Sequence, residues 1–183
     1  MPVYVALLYA VNVLKHNRIS MADLRDIFDS LGYSEVRTYI QSGNVVFSSP
    51  KRSASTLTRE IESAIEKKLG KPVKVTLRTA GEMAKIAERH PFLADADADL
   101  KRLHVAFLSE KPDKATIAEI DPAQYHPDRF EVIGREVYLH FPDGVAETKL
   151  NTAFFQRKLK APGTVRNWRT VTTLAEWTTQ KPR

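Results

Sequence analysis

The 183-residue chain contains no cysteine. Disulfides, thiolate nucleophiles and thiolate metal sites are excluded, and nothing requires an oxidising compartment. Glycine is scarce: there are seven, none at the spacing of a dinucleotide fingerprint or a phosphate-binding P-loop. No apolar run approaches the ~20 residues needed to cross a bilayer. The opening, MPVYVALLYAVNV, has no basic leading segment, and Asn12 interrupts it. Together these absences predict a cytoplasmic protein with no signal peptide and no membrane partner.

Catalytic and metal signatures are missing as well. The five histidines (His16, His90, His104, His126 and His140) never fall at helical metal-ligand spacing. His104 and His140 lie in predicted strands and read as packing residues. Asp95, Asp97 and Asp99 imitate the start of a calcium loop, but Leu100 stands where glycine is required and Ala106 where the bidentate glutamate belongs. No nucleophile elbow or Ser/His/Asp grouping can be drawn. The residues therefore predict no metal and no cofactor, and they leave open whether the protein is an enzyme.

What is present is an ordinary globular composition, 43% hydrophobic and 27% charged, with a net charge of +6. That excess favours polyanionic or phosphorylated partners. The most informative stretch is Val36 to Phe47, VRTYIQSGNVVF. Two β-branched-rich runs flank Gln41-Ser42-Gly43-Asn44, the pattern of a β-hairpin. Before it, Val3 to Leu8 reads as a buried strand, and Ser20 with Asp23 caps a helix whose apolar face is Met21, Leu24, Ile27, Phe28 and Leu31. A helix from about Ser55 to Leu69, a strand from Val73 to Leu77, and a short helix capped by Thr79 and Glu82 complete residues 1–90.

Residues 91–101, rich in alternating Ala and Asp, read as a linker. The same order then returns in residues 102–183. Leu103 to Leu108 is a strand, Pro112 opens a helix that Asp121-Pro122 closes, and a hairpin turns at Gly134-Arg135. Thr148 leads a helix to Leu159, Val165 lies in an extended piece, and a terminal helix runs from about Trp168 to Trp177. The prediction is an α+β protein of two ferredoxin-like, split-βαβ halves, each sheet keeping one face free to pair or bind. Identity between the halves is weak, so the duplication is expected in topology alone.

Two clusters are candidate sites. Tyr39, Gln41, Ser42 and Asn44 at the hairpin tip, with Asn12 and Arg18 on a neighbouring loop, hold more hydrogen-bonding chemistry than a turn requires; the plainer reading is a turn satisfying its own backbone. The second is Lys149, Arg157, Lys158, Lys160, Arg166, Asn167, Trp168 and Arg169, where cations with an interleaved tryptophan suit phosphate contact and base stacking. Asn167 is placed as a helix N-cap beside Arg166, with Lys149 adding a point charge. The plainer reading is a solvated basic face and a core tryptophan.

The run ISMADLRDIFDSLGYSEVRTYIQSGNVVFSS, the strand LHVAFL and the tail segments VYLHFPDGVAETKL and TVRNWRTVTTLAEW resemble the bacterial family known as domain of unknown function 1697. The resemblance covers nearly the whole chain. It implies a cytoplasmic protein of two ferredoxin-like halves with no established activity or cofactor. Family members usually open LLRGINVGG. Here Tyr9, Ala10, Leu14 and Lys15 replace the Arg and three Gly, while Asn12 is kept. Thr148 before Lys149 replaces a frequent Ser.

Three functions remain in view. The first is a non-enzymatic binder of a polyanion or nucleic acid. The second is an enzyme or sensor for a small phosphorylated or carboxylated ligand held between the halves. The third is an interaction module, including a homodimer.

Overall fold

The computed structural model describes residues 1–13, 17–51, 53–95 and 99–180. Leu14, Lys15, His16 and Asp97, on which the sequence reading drew, lie outside them. The first series of elements is β1 (Val3–Leu8), α1 (Met21–Ser30), β2 (Ser34–Tyr39), β3 (Asn44–Ser48), α2 (Ala54–Leu69), β4 (Val75–Thr79) and α3 (Ala80–Glu88). The second is β5 (Leu103–Leu108), α4 (Lys114–Ala118), β6 (Arg129–Ile133), β7 (Glu136–His140), α5 (Thr152–Lys158), β8 (Gly163–Asn167) and α6 (Trp168–Thr179). The sheets run β2-β3-β1-β4 and β6-β7-β5-β8, antiparallel throughout. That is the ferredoxin-like order, twice. Among the described residues no helix is long and apolar enough to cross a membrane.

Local chemistry explains the boundaries. The Ser20 hydroxyl oxygen accepts from the Asp23 amide at 3.0 Å and donates to the Asp23 carboxylate, starting α1 where the sequence placed it. Gly32 then takes φ +79°, a left-handed turn that ends the helix. Thr79 and Glu82 cap α3 reciprocally, at 2.8 and 3.2 Å. Two expectations fail. α5 is capped by Asn151, whose Oδ1 accepts from Ala153 and Phe154; the Thr148 hydroxyl instead donates to Asp128 at 2.6 Å. α4 is one short turn and a bit, and a separate 3-10 turn occupies Pro122–Tyr125, because proline at 122 offers no amide to continue a helix.

In the first unit Tyr4, Ala6 and Leu8 of β1 and Val45 and Phe47 of β3 pack with Leu24 and Phe28 of α1 and Leu57, Ile61 and Ile65 of α2. In the second, Ala106, Leu108, Val137 and Leu139 pack with Phe154 and Phe155 of α5. Val5 and Leu7, on the opposite face of β1, are fully buried, as are Val105 and Phe107 of β5. The signal was legible: Val3–Leu8 and Leu103–Leu108 are nearly unbroken apolar runs, whereas a one-sided strand alternates.

The chain divides into two compact units, Met1–Ala87 with Thr172–Arg183, and Glu88–Val171. The terminal helix, expected wholly with the second half, is divided: its first turn belongs to the second unit and the rest to the first. Arg37 of β2 holds that remainder. Its guanidinium donates to the carbonyls of Trp177 and Gln180, complementing the negative end of α6, and lies 4.9 Å from the Trp177 ring centre.

Candidate functional site

The hairpin tip is shaped by its glycine. Gly43 has φ +77°, and its carbonyl accepts from Leu8 at 2.9 Å. A Cβ there would stand 2.5 Å from Val11 Cγ2 and 2.8 Å from Leu8 Cβ, so the turn can close onto β1 only with glycine. Asn44, fully buried, donates from Nδ2 to the Tyr39 carbonyl and the Ser42 hydroxyl, both at 3.0 Å. These bonds brace the turn internally and aim the Gln41 carbonyl outward.

Asn12 receives it. Its Nδ2 donates to the carbonyls of Gln41 at 2.8 Å and Ile19 at 2.9 Å, and its Oδ1 accepts from the Ile19 amide at 2.9 Å. One side chain thus ties the segment leading into α1 to the hairpin. Around this clamp lies an open cleft of about 360 Å3 lined by Asn12, Arg18, Ile19, Ser20 and Gln41. Three of the sequence-predicted residues, Asn12, Arg18 and Gln41, therefore share one cleft in the first unit. Ser42 and Asn44 support it from behind, while the Tyr39 ring packs edge-on against Trp177 at 5.3 Å.

Its described lining carries one cation, Arg18, with the polar side chains of Asn12, Ser20 and Gln41. Arg18 and Gln41 are exposed, and the Met21 and Ala22 amides precede the first intrahelical bond of α1. Asp23, in the first turn of α1, is held below its ordinary pKa by a hydrogen bond from Lys68, helped by Ser20, so it stays ionised with its charge matched.

The second predicted cluster is built differently. Arg166 is 7% exposed and donates from Nη1 to the Thr164 hydroxyl at 2.7 Å and the Val165 carbonyl at 3.0 Å. Asn167 caps α6, its Oδ1 accepting from the Thr170 amide at 2.8 Å. Trp168 is buried, edge-on to His90 with ring centres 5.0 Å apart, so it offers no face to a base. Lys149, Arg157, Lys158 and Lys160 are exposed. Asn167 thus caps its own helix, and Trp168 lies in the interior.

A residue the sequence reading passed over makes the same two Nη1 bonds as Arg166. Arg78 of β4 is 1% exposed, and its Nη1 donates to the Thr76 hydroxyl at 3.1 Å and the Leu77 carbonyl at 2.9 Å. Arg78 pairs with Val5 as Arg166 pairs with Val105, and each precedes a helix cap, Thr79 or Asn167. Thr-Leu-Arg-Thr and Thr-Val-Arg-Asn are thus one motif used twice. A search for Thr-x-Arg before a capping residue would have found it, and the duplication reaches beyond topology.

His90, His104, Asp95 and Asp99 have structural occupations. His90 donates from Nε2 to the His104 carbonyl at 3.0 Å and accepts at Nδ1 from the Phe92 amide, which fixes its neutral tautomer. Burial pushes the pKa of both His90 and His104 down. Asp99 caps a 3-10 turn through the Lys101 amide, and Asp95 pairs with Arg129.

Residues 1–138 match the family described as Protein of unknown function (DUF1697). The chain belongs to this family. A conserved bacterial protein of Streptococcus pneumoniae, SP0830, has a solved structure that superposes with a TM-score of 0.74 at 24% identity, over 98% of this chain and 99% of that one. At that identity the likeness carries the fold. No curated protein matches the chain.

Proposed function

We propose that this protein binds a small phosphorylated or carboxylated ligand in the cleft beside Asn12. The observation that carries the reading is that the exposed Arg18, Gln41 and Ser20 at the start of α1 line one open space of about 360 Å3. A guanidinium supplies paired donors to an oxyanion, and first-turn amides add donors and partial positive charge. Asn12 is already committed to three backbone bonds, so its role is to hold the two walls together. Among the described residues lining the cleft there is no acid–base pair, which favours a binding or sensing role over catalysis.

The polyanion reading is supported by the exposed Lys149, Arg157, Lys158 and Lys160, and the buried Trp168 adds nothing to it. A thermal-shift screen of inorganic phosphate, nucleotides, sugar phosphates and carboxylates separates the two. Stabilisation by a small anion that disappears in Arg18→Ala supports the cleft. Stabilisation by oligonucleotides alone, untouched by Arg18→Ala, supports the basic surface instead.

A further inference from the structure

The outer edge of the second sheet is self-complementary. β6 pairs with β7 in the register Arg129↔His140 to Ile133↔Glu136, closed by the two-residue turn Gly134-Arg135 with Gly134 at φ +64°. Such a turn closes on a hydrogen-bonded pair, so Ile133, Glu131 and Arg129 direct their backbone groups toward β7. Phe130 and Val132 direct theirs outward. Among the described residues no hydrogen bond reaches those outward groups. An open cleft of about 350 Å3 lies beside the strand, with Arg129, Phe130 and Glu131 in its lining. There is thus both an unused ladder and space next to it.

We propose that two copies of this chain pair antiparallel through β6 about a two-fold axis at Phe130, forming one continuous sheet. The register follows from charge. Centred on Phe130, the pairing puts Arg129 opposite the partner's Glu131, and Glu131 opposite the partner's Arg129. Centring on Glu131 would set two carboxylates face to face, and centring on Val132 would set Glu131 against the partner's Ile133. Only the first matches opposite charges, and a two-fold axis makes the match twice. It also lets the Phe130 residues exchange both backbone bonds. The Val132 amide then meets the carbonyl of the partner's Asp128, since the Asp128 amide is already given to Tyr125 at 2.9 Å. Arg129 also pairs with Asp95 and lies over the Phe92 ring at 4.4 Å. An exposed pair of that kind holds Arg129 in place without forbidding a second carboxylate. One short strand per copy makes a weak, concentration-dependent contact.

Sedimentation velocity over a concentration series tests this. The wild type should pass from monomer to dimer, and Glu131→Arg and Arg129→Glu should each weaken the dimer at least tenfold. An equimolar mixture of the two variants should restore it, because every cross-strand pair in the mixed dimer is again Arg with Glu. Val132→Pro should weaken it too, since the amide removed is not one that bonds β7, and an unchanged melting curve shows the fold intact. A wild type that stays monomeric at every concentration overturns the proposal. So does a dimer that survives both reversals, or a mixture that stays monomeric.

Discussion

Asn12 and Gln41 stand 29 positions apart and meet at 2.8 Å, the Asn12 side-chain amide donating to the Gln41 carbonyl. The same amide group bonds both backbone atoms of Ile19, so three strands of chain converge on one residue. Asn12→Asp keeps the shape and removes both donors, leaving a carboxylate against two carbonyl oxygens. It should cost about 1–3 kcal/mol, because the carbonyls lose their partners in a partly buried place. Chemical denaturation measures this; a midpoint equal to wild type would show that the clamp carries no weight.

Backbone strain surrounds the same cleft. Ala10 has φ +49° and Ile40 has φ +48°, in the region where a Cβ meets the following carbonyl. Ala10→Gly and Ile40→Gly should therefore each raise stability, by about 1 kcal/mol, despite the greater freedom glycine gives the unfolded chain. A loss of stability in both would mean that the loop conformation is not the one described.

The paired motif gives a matched test. Thr164→Val and Thr76→Val keep volume and remove the hydroxyl that accepts from a buried guanidinium, at 2.7 Å for Arg166 and 3.1 Å for Arg78. Each should lose about 1–3 kcal/mol, while the serine variants at both positions should lose much less. Equal losses for Ser and Val would assign the effect to the methyl group's packing.

His90 makes stability depend on pH. Burial lowers its folded pKa below the ordinary value near 6.5, and the unfolded state binds the proton first as pH falls. The contribution is complete above about pH 7 and is lost progressively as pH drops below ~6.5. Protonation at Nδ1 would also expel the Phe92 amide bond. Denaturation midpoints for wild type and His90→Gln between pH 7.5 and 5 should show a shallower slope in the variant. His104, shifted the same way, supplies a remaining slope. Identical slopes would place the acid sensitivity elsewhere.

Much of the fold was legible because it rests on local chemistry. Ser20 with Asp23, Thr79 with Glu82, and Gly43 before Asn44 each fix a boundary through bonds within five residues. What escaped depends on distant chain. The ownership of α6 turns on Arg37, more than a hundred positions earlier, and no local pattern announces that guanidinium as its cap. Trp168 looks like a stacking residue among cations until His90 is found against it. Arg78 was missed because the predicted strand stopped at Leu77, and only its likeness to Arg166 marks it as an internal tie. At the candidate site, Asn12 and Gln41 were visible as residue types, but their contact was not.

The central claim is that an anion enters the cleft beside Asn12, and an amide-resolved NMR titration with inorganic phosphate tests it most directly. The account predicts saturable shifts concentrated at Arg18, Ser20, Met21, Ala22 and Gln41, and their loss in Arg18→Ala with the rest of the spectrum unchanged. Shifts confined to the exposed cations of α5, or a response at the cleft that survives Arg18→Ala, would contradict it.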